Sequence, residues 1–237
     1  ERNLSTAFPE LNEIQKKNIL KKMWFNYGMI LAEYIYIKQF RNSYLSNNIV
    51  VENQEELKNI KNSSQPVIFI SGHFNNFELM AMHIEKSGIN LAAIYRPLNN
   101  IFLNPFMEKI RKKYICKKQI KKGISGTKEL VKCFKKGSSI ALMIDQRVSE
   151  GIKVNFFNKQ ALTTTIPAQF AKKYKAKIVP IYIERLENNK FKIKIHKSLE
   201  YSQNDTLEFI TSSLNKILEK MISKNPDQWI WTHNRWK

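Results

Sequence analysis

The segment PVIFISGHFNNFELMAMHI, residues 66–84, changes from the pattern of a strand to that of a helix. Its first five residues are apolar and mostly β-branched, which predicts a buried strand. From Phe77 onward the apolar residues recur at helical spacing. His73 is therefore predicted to lie on a turn just after the carboxyl end of a strand, where open α/β sheets bind their ligands.

The residue types on this turn suggest acid–base chemistry. His73 is a candidate general base, because histidine changes its charge near neutral pH. Glu78, in the first predicted helical turn, is expected to reach back to the imidazole, fix its tautomer and stabilise the imidazolium. No nucleophile motif surrounds His73, so we expect it to act directly on a substrate hydroxyl group. The structural alternative is a histidine that only bonds the turn and an acid that only complements the helix dipole.

The rest of the chain continues the alternation of strand and helix. Further strands are predicted at residues 91–95, 115–120, 139–144, 178–184 and 191–195, with 154–157 as a short strand or loop. Helices are predicted at residues 52–60, 102–114 and 167–174, from a Thr127 cap to Gly137, and from Asp205 onward. We therefore predict an α/β fold with a mostly parallel central sheet flanked by helices.

The two ends of the chain refine this prediction. A long helix after Pro9 carries two apolar stripes, for which core packing is favoured over a membrane interface. The stripes are Leu20, Trp24, Tyr27, Leu31 and Tyr34, and Met23, Ile30 and Ile37. Lysines alternate with apolar residues over 191–195, which predicts a half-buried edge strand with its lysines facing water. We expect one domain over 1–237, in which residues 1–60 form a helical part packed on or beside the α/β core.

Composition places the chain among globular, strongly basic proteins. It has 237 residues, 43% of them hydrophobic, and a net charge of +20. Residues 108–136 contain twelve Lys and Arg and two Glu, a net charge of +10. Such a block favours anionic lipid, an acidic protein or nucleic acid, although lysines on solvated helix faces give the same pattern. Cys116 and Cys133 have neither metal nor redox spacing and are expected to be free thiols.

Four other residues could complete a site at this sheet edge. Arg96 and Arg111 are candidates for gripping phosphate, because the guanidinium offers a planar fork of donors. Asn75 and Asn76 could donate to an oxyanion, or could simply tolerate an unusual turn conformation. For both arginines the alternative is an ordinary surface residue.

Asp145 follows a predicted buried strand, so parallel strands would bring it to the same edge as His73. It could hold an arginine, orient the base or take part in proton movement. The alternative is an ordinary strand-terminal turn residue.

Five motifs in this order resemble the late acyltransferases of lipid A biosynthesis, within the wider His-x4-Asp/Glu glycerolipid-type acyltransferases. They are GHFNNFE (72–78), YRPLNN (95–100), DQ (145–146), FF (156–157) and WIWTHNRWK (229–237). Asn158 stands where this family more usually has Gly.

The resemblance implies a glycerolipid-acyltransferase-like fold and transfer of an acyl chain from acyl carrier protein to a hydroxyl of a lipid A precursor. It implies no metal or tightly bound cofactor. It points to Arg111 as a site arginine and puts Asp145 and Gln146 beside the active site. The basic block from Lys109 to Lys136 would dock acyl carrier protein, which is acidic as a class.

The resemblance also implies a location at the cytoplasmic face of the bacterial inner membrane, with the membrane surface as a partner. The most apolar early segment, residues 23–37, is too short and polar to span a bilayer. The chain begins with Glu1 and not Met, so we expect an N-terminal anchor to have been removed.

Three alternatives stay open. A lysophospholipid or other glycolipid acyltransferase would share the motifs but would prefer a different acceptor. A nucleic-acid-binding protein is suggested by charge alone, without a zinc-finger, helix-turn-helix or aromatic RNA motif, and we therefore expect no nucleic-acid partner. A catalytically inactive membrane-surface scaffold is disfavoured by the intact His73 and Glu78 pair.

Overall fold

The computed structural model describes residues 1–237, which form nine α-helices and nine strands. The helices are α1 (Arg2–Ala7), α2 (Glu13–Glu33), α3 (Ile37–Asn42), α4 (Gln54–Ser63), α5 (Glu78–Lys86), α6 (Leu103–Ile110), α7 (Ile124–Lys135), α8 (Ile166–Tyr174) and α9 (Leu207–Lys224). The strands are β1 (Ile49–Glu52), β2 (Ile68–Ser71), β3 (Leu91–Tyr95), β4 (Lys118–Lys121), β5 (Ser139–Met143), β6 (Ile152–Phe156), β7 (Lys159–Thr163), β8 (Ile178–Arg185) and β9 (Phe191–Ile195). A π-helical turn, Arg111–Ile115, continues α6.

Seven strands form one sheet, in the order β1-β9-β8-β2-β5-β3-β4. The five strands from β8 to β4 run parallel, whereas β9 is antiparallel to β8 and parallel to β1. β6 and β7 form a separate antiparallel hairpin. The prediction of a mostly parallel central sheet flanked by helices is confirmed.

Buried apolar side chains join the sheet and the helices around it. All four residues of β2 are buried, as expected for a central parallel strand covered on both faces. Leu4, Met23 and Phe40, from the N-terminal helices, belong to the same cluster of 49 buried residues as the sheet. This N-terminal part therefore packs on the α/β core. No helix of the structure combines the length and the apolar character needed to cross a bilayer.

The predicted edge strand is wrong, because β1 pairs with the outer side of β9. The helix predicted from Glu52 begins instead at Gln54, and Glu52 is the last residue of the unpredicted four-residue strand β1. The lysines of β9 also meet carboxylates: Lys192 lies 2.7 Å from Glu184, and Lys194 lies 2.5 Å from Glu52. Alternating lysine and apolar residues look the same in an edge strand and in a strand whose lysines are paired.

Neither predicted apolar stripe of this N-terminal region packs fully on the core, since Ile30 of the second stripe is only half-buried. Met23 and Ile37 are buried, whereas Trp24, Tyr27 and Leu31 are exposed. The favoured core packing is therefore wrong for the middle of the first stripe. A helix that is apolar over a wide arc can bury only the side that faces its neighbours.

The predicted Thr127 cap is also wrong. The helix begins at Ile124, and the Thr127 hydroxyl donates to the carbonyl of Gly123 at 3.2 Å inside the first turn. Gly126 permits this early start, because a Cβ there would lie 1.9 Å from the backbone oxygen of Lys121.

Candidate active site

The sheet register brings two polar residues together beyond its carboxyl edge. β2 and β5 are neighbours, with Ser71 opposite Met143. Two residues further on, the same register places His73 beside Asp145. The pair therefore results from parallel strand pairing, which also carries each side chain just outside its strand.

Asp145 accepts three hydrogen bonds at this edge. Its Oδ1 lies 2.8 Å from Nδ1 of His73, and its Oδ2 accepts the backbone N–H of His73 at 2.8 Å. The indole N–H of Trp229 also donates to Oδ2 at 2.8 Å. An ionised carboxylate only accepts, so Nδ1 of His73 carries its proton and Nε2 is the free acceptor. The Asp145 side chain is fully buried, whereas that of His73 is 21% exposed.

The surroundings shift the pKa values of this pair in opposite directions. Burial lowers the pKa of His73, but the charge and hydrogen bond of Asp145 outweigh it, and the net shift is upward. Burial raises the pKa of Asp145, but His73 and the Trp229 indole outweigh it, and the net shift is downward. Asp145 is therefore ionised at neutral pH, and its charge favours the imidazolium form of His73.

Glu78 does not orient His73, and the expectation that it reaches back to the imidazole is wrong. Its carboxylate accepts a hydrogen bond from Nε of Arg111 at 2.7 Å and another from the hydroxyl of Tyr34. A guanidinium attracts a buried carboxylate more strongly than a neutral imidazole does, and Asp145 already occupies Nδ1. Glu78 acts on His73 only through its charge, which raises the pKa of the imidazole after the larger contributions of burial and Asp145.

Arg111 is consequently not free to grip a phosphate. Its side chain is 12% exposed, it holds Glu78, and it donates to the Tyr34 hydroxyl at 3.1 Å. The guanidinium carbon also lies 5.8 Å from the centre of the Tyr95 ring. The geometry assigns Arg111 to a buried ion pair that ties α6 to α5 and to the end of α2.

The amides of Asn75 and Asn76 are also committed elsewhere. Nδ2 of Asn76 donates to Glu33 at 2.9 Å, and Nδ2 of Asn75 donates to Gln228. The expected donation from these side chains to an oxyanion is therefore wrong. Asn75 instead adopts the unusual turn conformation that was the alternative expectation, since its φ of 40° lies in the left-handed region that Asn tolerates.

A buried polar network holds this turn in place. Arg185 donates to both carboxylate oxygens of Glu33, at 2.5 and 3.2 Å, and to Oδ1 of Asn26 at 3.1 Å. Its backbone N–H donates to Gln228, the residue that also receives the Asn75 amide. The network therefore links α2, β8 and the His73 turn.

Arg96 and Gln146 lie at the sheet edge without side-chain hydrogen bonds inside the protein. Arg96 follows β3, which is separated from β2 only by β5, and its side chain is exposed. Gln146 follows Asp145 and is half-buried. Both remain available to a ligand.

The free face of His73 borders a narrow cleft between α2 and the C-terminal segment. Trp24, Tyr27 and Ile30 line one side, and Ile230 lines the other. No group of three or more His, Cys, Asp or Glu side chains is arranged to hold a metal ion. Seven of the thirteen lining residues are apolar, and the cleft holds about 30 Å³, so an acyl chain would enter it only if the cleft widened.

Residues 226–237 contribute contacts that sequence reasoning did not identify. Trp229 forms a β-bridge with Phe74 as well as its bond to Asp145. Arg235 is fully buried and donates to the carbonyl of Leu162 and the hydroxyl of Thr163, each at 2.5 Å. The aromatic and basic tail motif was visible in the sequence, but its partners are more than 70 positions away.

Comparisons with known proteins identify the family of the chain. The family model described as bacterial lipid A biosynthesis acyltransferase matches residues 1–237. A lipid A biosynthesis lauroyltransferase of Escherichia coli K12 is 26% identical over 242 residues, covering 100% of this chain and 77% of that protein. A palmitoleoyltransferase of lipid A biosynthesis from the same organism is 22% identical over 240 residues, with the same coverage of both chains.

A solved structure also aligns with the chain. It is the 1-acyl-sn-glycerophosphate acyltransferase of Thermotoga maritima, 14% identical, with a TM-score of 0.47 over 93% of this chain and 100% of that chain. The family model nevertheless matches from the first residue to the last. The chain therefore belongs to the bacterial lipid A biosynthesis acyltransferases, and it is an enzyme that transfers acyl groups.

Proposed function

We propose that this enzyme moves a fatty acyl chain from the thioester of acyl carrier protein to a hydroxyl group of a lipid A precursor. His73 is the general base in this proposal, and Asp145 is the residue that orients it. The observation that carries the proposal is the buried Asp145 carboxylate on Nδ1 of His73, with Nε2 unpaired beside a partly apolar cleft. This arrangement suits proton removal from a substrate hydroxyl without a covalent enzyme intermediate.

The reaction follows from this geometry. Neutral His73 takes the hydroxyl proton at Nε2 while the hydroxyl oxygen attacks the thioester carbonyl carbon. Asp145 stabilises the resulting imidazolium through its charge and its hydrogen bond to Nδ1. The tetrahedral intermediate then collapses, the carbon–sulfur bond breaks, and the thiolate takes the proton from His73. The products are the ester and the free thiol of the carrier, and the base is regenerated.

Only part of the basic block, residues 109–136, lies near His73, where the acyl donor must bind. α7 runs from the carboxyl end of β4 back to the amino end of β5, so Lys135 and Lys136 lie at the edge far from His73. Lys122 and Lys128 lie at or near the catalytic edge, and the charge of Lys122 acts on His73. We expect acyl carrier protein to dock on the catalytic-edge lysines, because complementary charge raises the association rate.

Arg96 is the remaining candidate for a substrate phosphate. The register that pairs Tyr95 with Lys121 brings Arg96 beside Lys122 at the carboxyl edge. Neither cation has a carboxylate within ion-pair distance. The strand spacing of about 4.8 Å puts this pair roughly 10 to 14 Å from His73, across two or three strands. With Gln146 closer to the base, these groups would receive the polar parts of a substrate. The proposed setting is the cytoplasmic face of the bacterial inner membrane.

An acyl-transfer assay tests the proposal. Acyl carrier protein charged with a series of chains would be offered with a lipid A precursor or a lysophospholipid in detergent. We expect transfer to the lipid A precursor, reduced about 10²- to 10⁴-fold in His73→Ala. His196→Ala, which changes a histidine on the strand connection after β9, is the matched control and should keep its activity.

The acceptor distinguishes the proposal from its nearest alternative. Transfer to the lysophospholipid but not to the lipid A precursor would identify a lysophospholipid acyltransferase. Undiminished transfer by folded His73→Ala would remove His73 as the base.

A further inference from the structure

The segment between β3 and the middle of α6 exposes an unusual amount of apolar surface. Phe102 is 87% exposed, Ile101 is 74% exposed and Phe106 is 59% exposed. Leu98 and Leu103 are exposed as well, so five large apolar residues lie within nine positions. We name residues 98–106 the apolar segment. Contiguous exposed apolar surface of this kind marks an interaction site in a soluble domain, since single scattered residues are the norm.

Lysines follow the apolar segment on the same helical surface. A groove of about 480 Å³ is lined by Pro105, Glu108, Lys109, Lys112 and Lys113. Glu108, its only acid, lies 3.7 Å from Lys121 and accepts a hydrogen bond from Asn104. The three groove lysines have no carboxylate within ion-pair distance. The groove is therefore open to an anionic partner.

Aromatic and basic residues share one face of this helix. Phe102, Phe106, Lys109 and Lys113 are separated by four, three and four positions, the spacing of a single helical stripe. Aromatic residues at one end of a stripe and lysines at the other match the depth profile of a bilayer interface. At such an interface, aromatic rings lie at the headgroup–acyl boundary and lysine stems extend to the phosphates.

We infer that the apolar segment inserts into the surface of an anionic bilayer, with Lys109, Lys112 and Lys113 bound to lipid headgroup phosphates. Charge complementarity favours this partner over a second copy of the chain, whose net charge is also strongly positive. The segment leaves β3 at the carboxyl edge, where His73 lies. Docking would therefore turn the catalytic edge towards the lipid. Binding of this kind requires no turnover and does not depend on the proposed reaction.

Vesicle flotation of the 237-residue chain tests this inference. Vesicles of phosphatidylcholine alone would be compared with vesicles that also contain phosphatidylglycerol. We expect binding to the anionic vesicles that weakens as salt is added, because the attraction is screened. Replacing Lys109, Lys112 and Lys113 by Gln should weaken that binding on the order of 100-fold, and should change binding to phosphatidylcholine little.

The apolar contribution has its own matched pair of variants. The triple variant Ile101→Ser, Phe102→Ser, Phe106→Ser should lose at least about tenfold in affinity for both kinds of vesicle. Phe209→Ser changes a phenylalanine of similar exposure, 56%, at the start of α9, and should bind as the wild type does. All replaced side chains are exposed, so unchanged thermal unfolding is expected for each variant.

Several results would overturn the inference. The inference would be wrong if the wild-type protein did not bind anionic vesicles. It would also be wrong if the variant Ile101→Ser, Phe102→Ser, Phe106→Ser bound them as the wild type does. If sedimentation shows that the wild type is a dimer and that the variant Ile101→Ser, Phe102→Ser, Phe106→Ser is a monomer, the apolar segment binds a second copy of the chain instead. If the protein transfers acyl groups in detergent but does not bind vesicles, the proposed role of the apolar segment is wrong and the proposed function still stands.

Discussion

Nδ1 of His73 lies 2.8 Å from Oδ1 of Asp145, a residue 72 positions later, whereas Glu78 contacts Arg111 and Tyr34. The two acids near His73 therefore have separable roles. Asp145 orients the imidazole, and Glu78 completes a buried ion pair that holds α5, α6 and the end of α2 together. Each role leads to a different response to mutation.

Removing the charge of each acid should affect different properties. Asp145→Asn should lower kcat by about 10² to 10⁴, because the amide no longer enforces the Nδ1-protonated tautomer. Glu78→Gln should instead lower the free energy of unfolding by about 3 to 5 kcal/mol, because Arg111 is left as a buried unpaired charge. Turnover per folded molecule and urea unfolding, measured on both variants, separate the two effects. An equal loss of turnover in stable Glu78→Gln would restore Glu78 as a direct partner of the base.

The pH dependence of transfer should report the His73–Asp145 interaction. Asp145 gives His73 a pKa above the ordinary value of 6.5. The neutral base is the active form, so kcat/KM should fall as the pH decreases through this raised pKa. In Asp145→Asn, burial dominates and lowers the pKa of His73, so the residual activity should fall only at a lower pH. Superimposable acid limbs for the two proteins would argue against this electrostatic coupling.

The Glu78–Arg111 pair should show strong coupling in a double-mutant cycle. Glu78→Leu and Arg111→Leu each leave a buried charge without its partner, whereas the double variant removes both charges. We expect a coupling free energy above about 1 kcal/mol in urea unfolding. The exposed pair Lys118–Glu129, at 2.6 Å, is the control and should couple by less than about 1 kcal/mol. Equal coupling in the two pairs would mean that Glu78–Arg111 adds no more than a surface contact.

The Trp229 indole should support catalysis through Asp145. Trp229→Phe keeps an aromatic ring in the core but removes the N–H that donates to Oδ2, and should lower kcat roughly tenfold. It should also shift the acid limb of the pH profile, an effect that lost packing alone does not produce. Trp231→Phe is the matched control, because its indole donates to the carbonyl of Pro226 at 2.6 Å. A similar loss of kcat in both variants would assign the effect of Trp229 to packing.

Local sequence patterns predicted the elements better than their arrangement. The strand at Leu91–Tyr95 has the predicted bounds, and the strand before His73 was identified from its apolar run. β1 escaped detection because its last residue, Glu52, was taken as the start of the following helix, and its absence made β9 look like an edge. Periodicity describes one element at a time and carries no information on which strands become neighbours.

The candidate site illustrates the same limit. The sequence placed His73 at a strand end and suggested that Asp145 could share its edge. It could not give the register that brings the two side chains into contact. Glu78 was preferred because it is near in the chain, but the strongest partner for its carboxylate is a cation 33 positions later. The contact between Trp229 and Asp145 joins residues 84 positions apart.

These sequence separations also bear on how the enzyme acquires activity as it folds. His73 meets Asp145 only after a 72-residue loop closes and β2 pairs with β5, and contacts of this range slow folding. The catalytic contact is therefore a product of global sheet assembly and not of any locally stable fragment. On heating, we expect the loss of acyl transfer to follow the cooperative unfolding of the sheet and not to precede it.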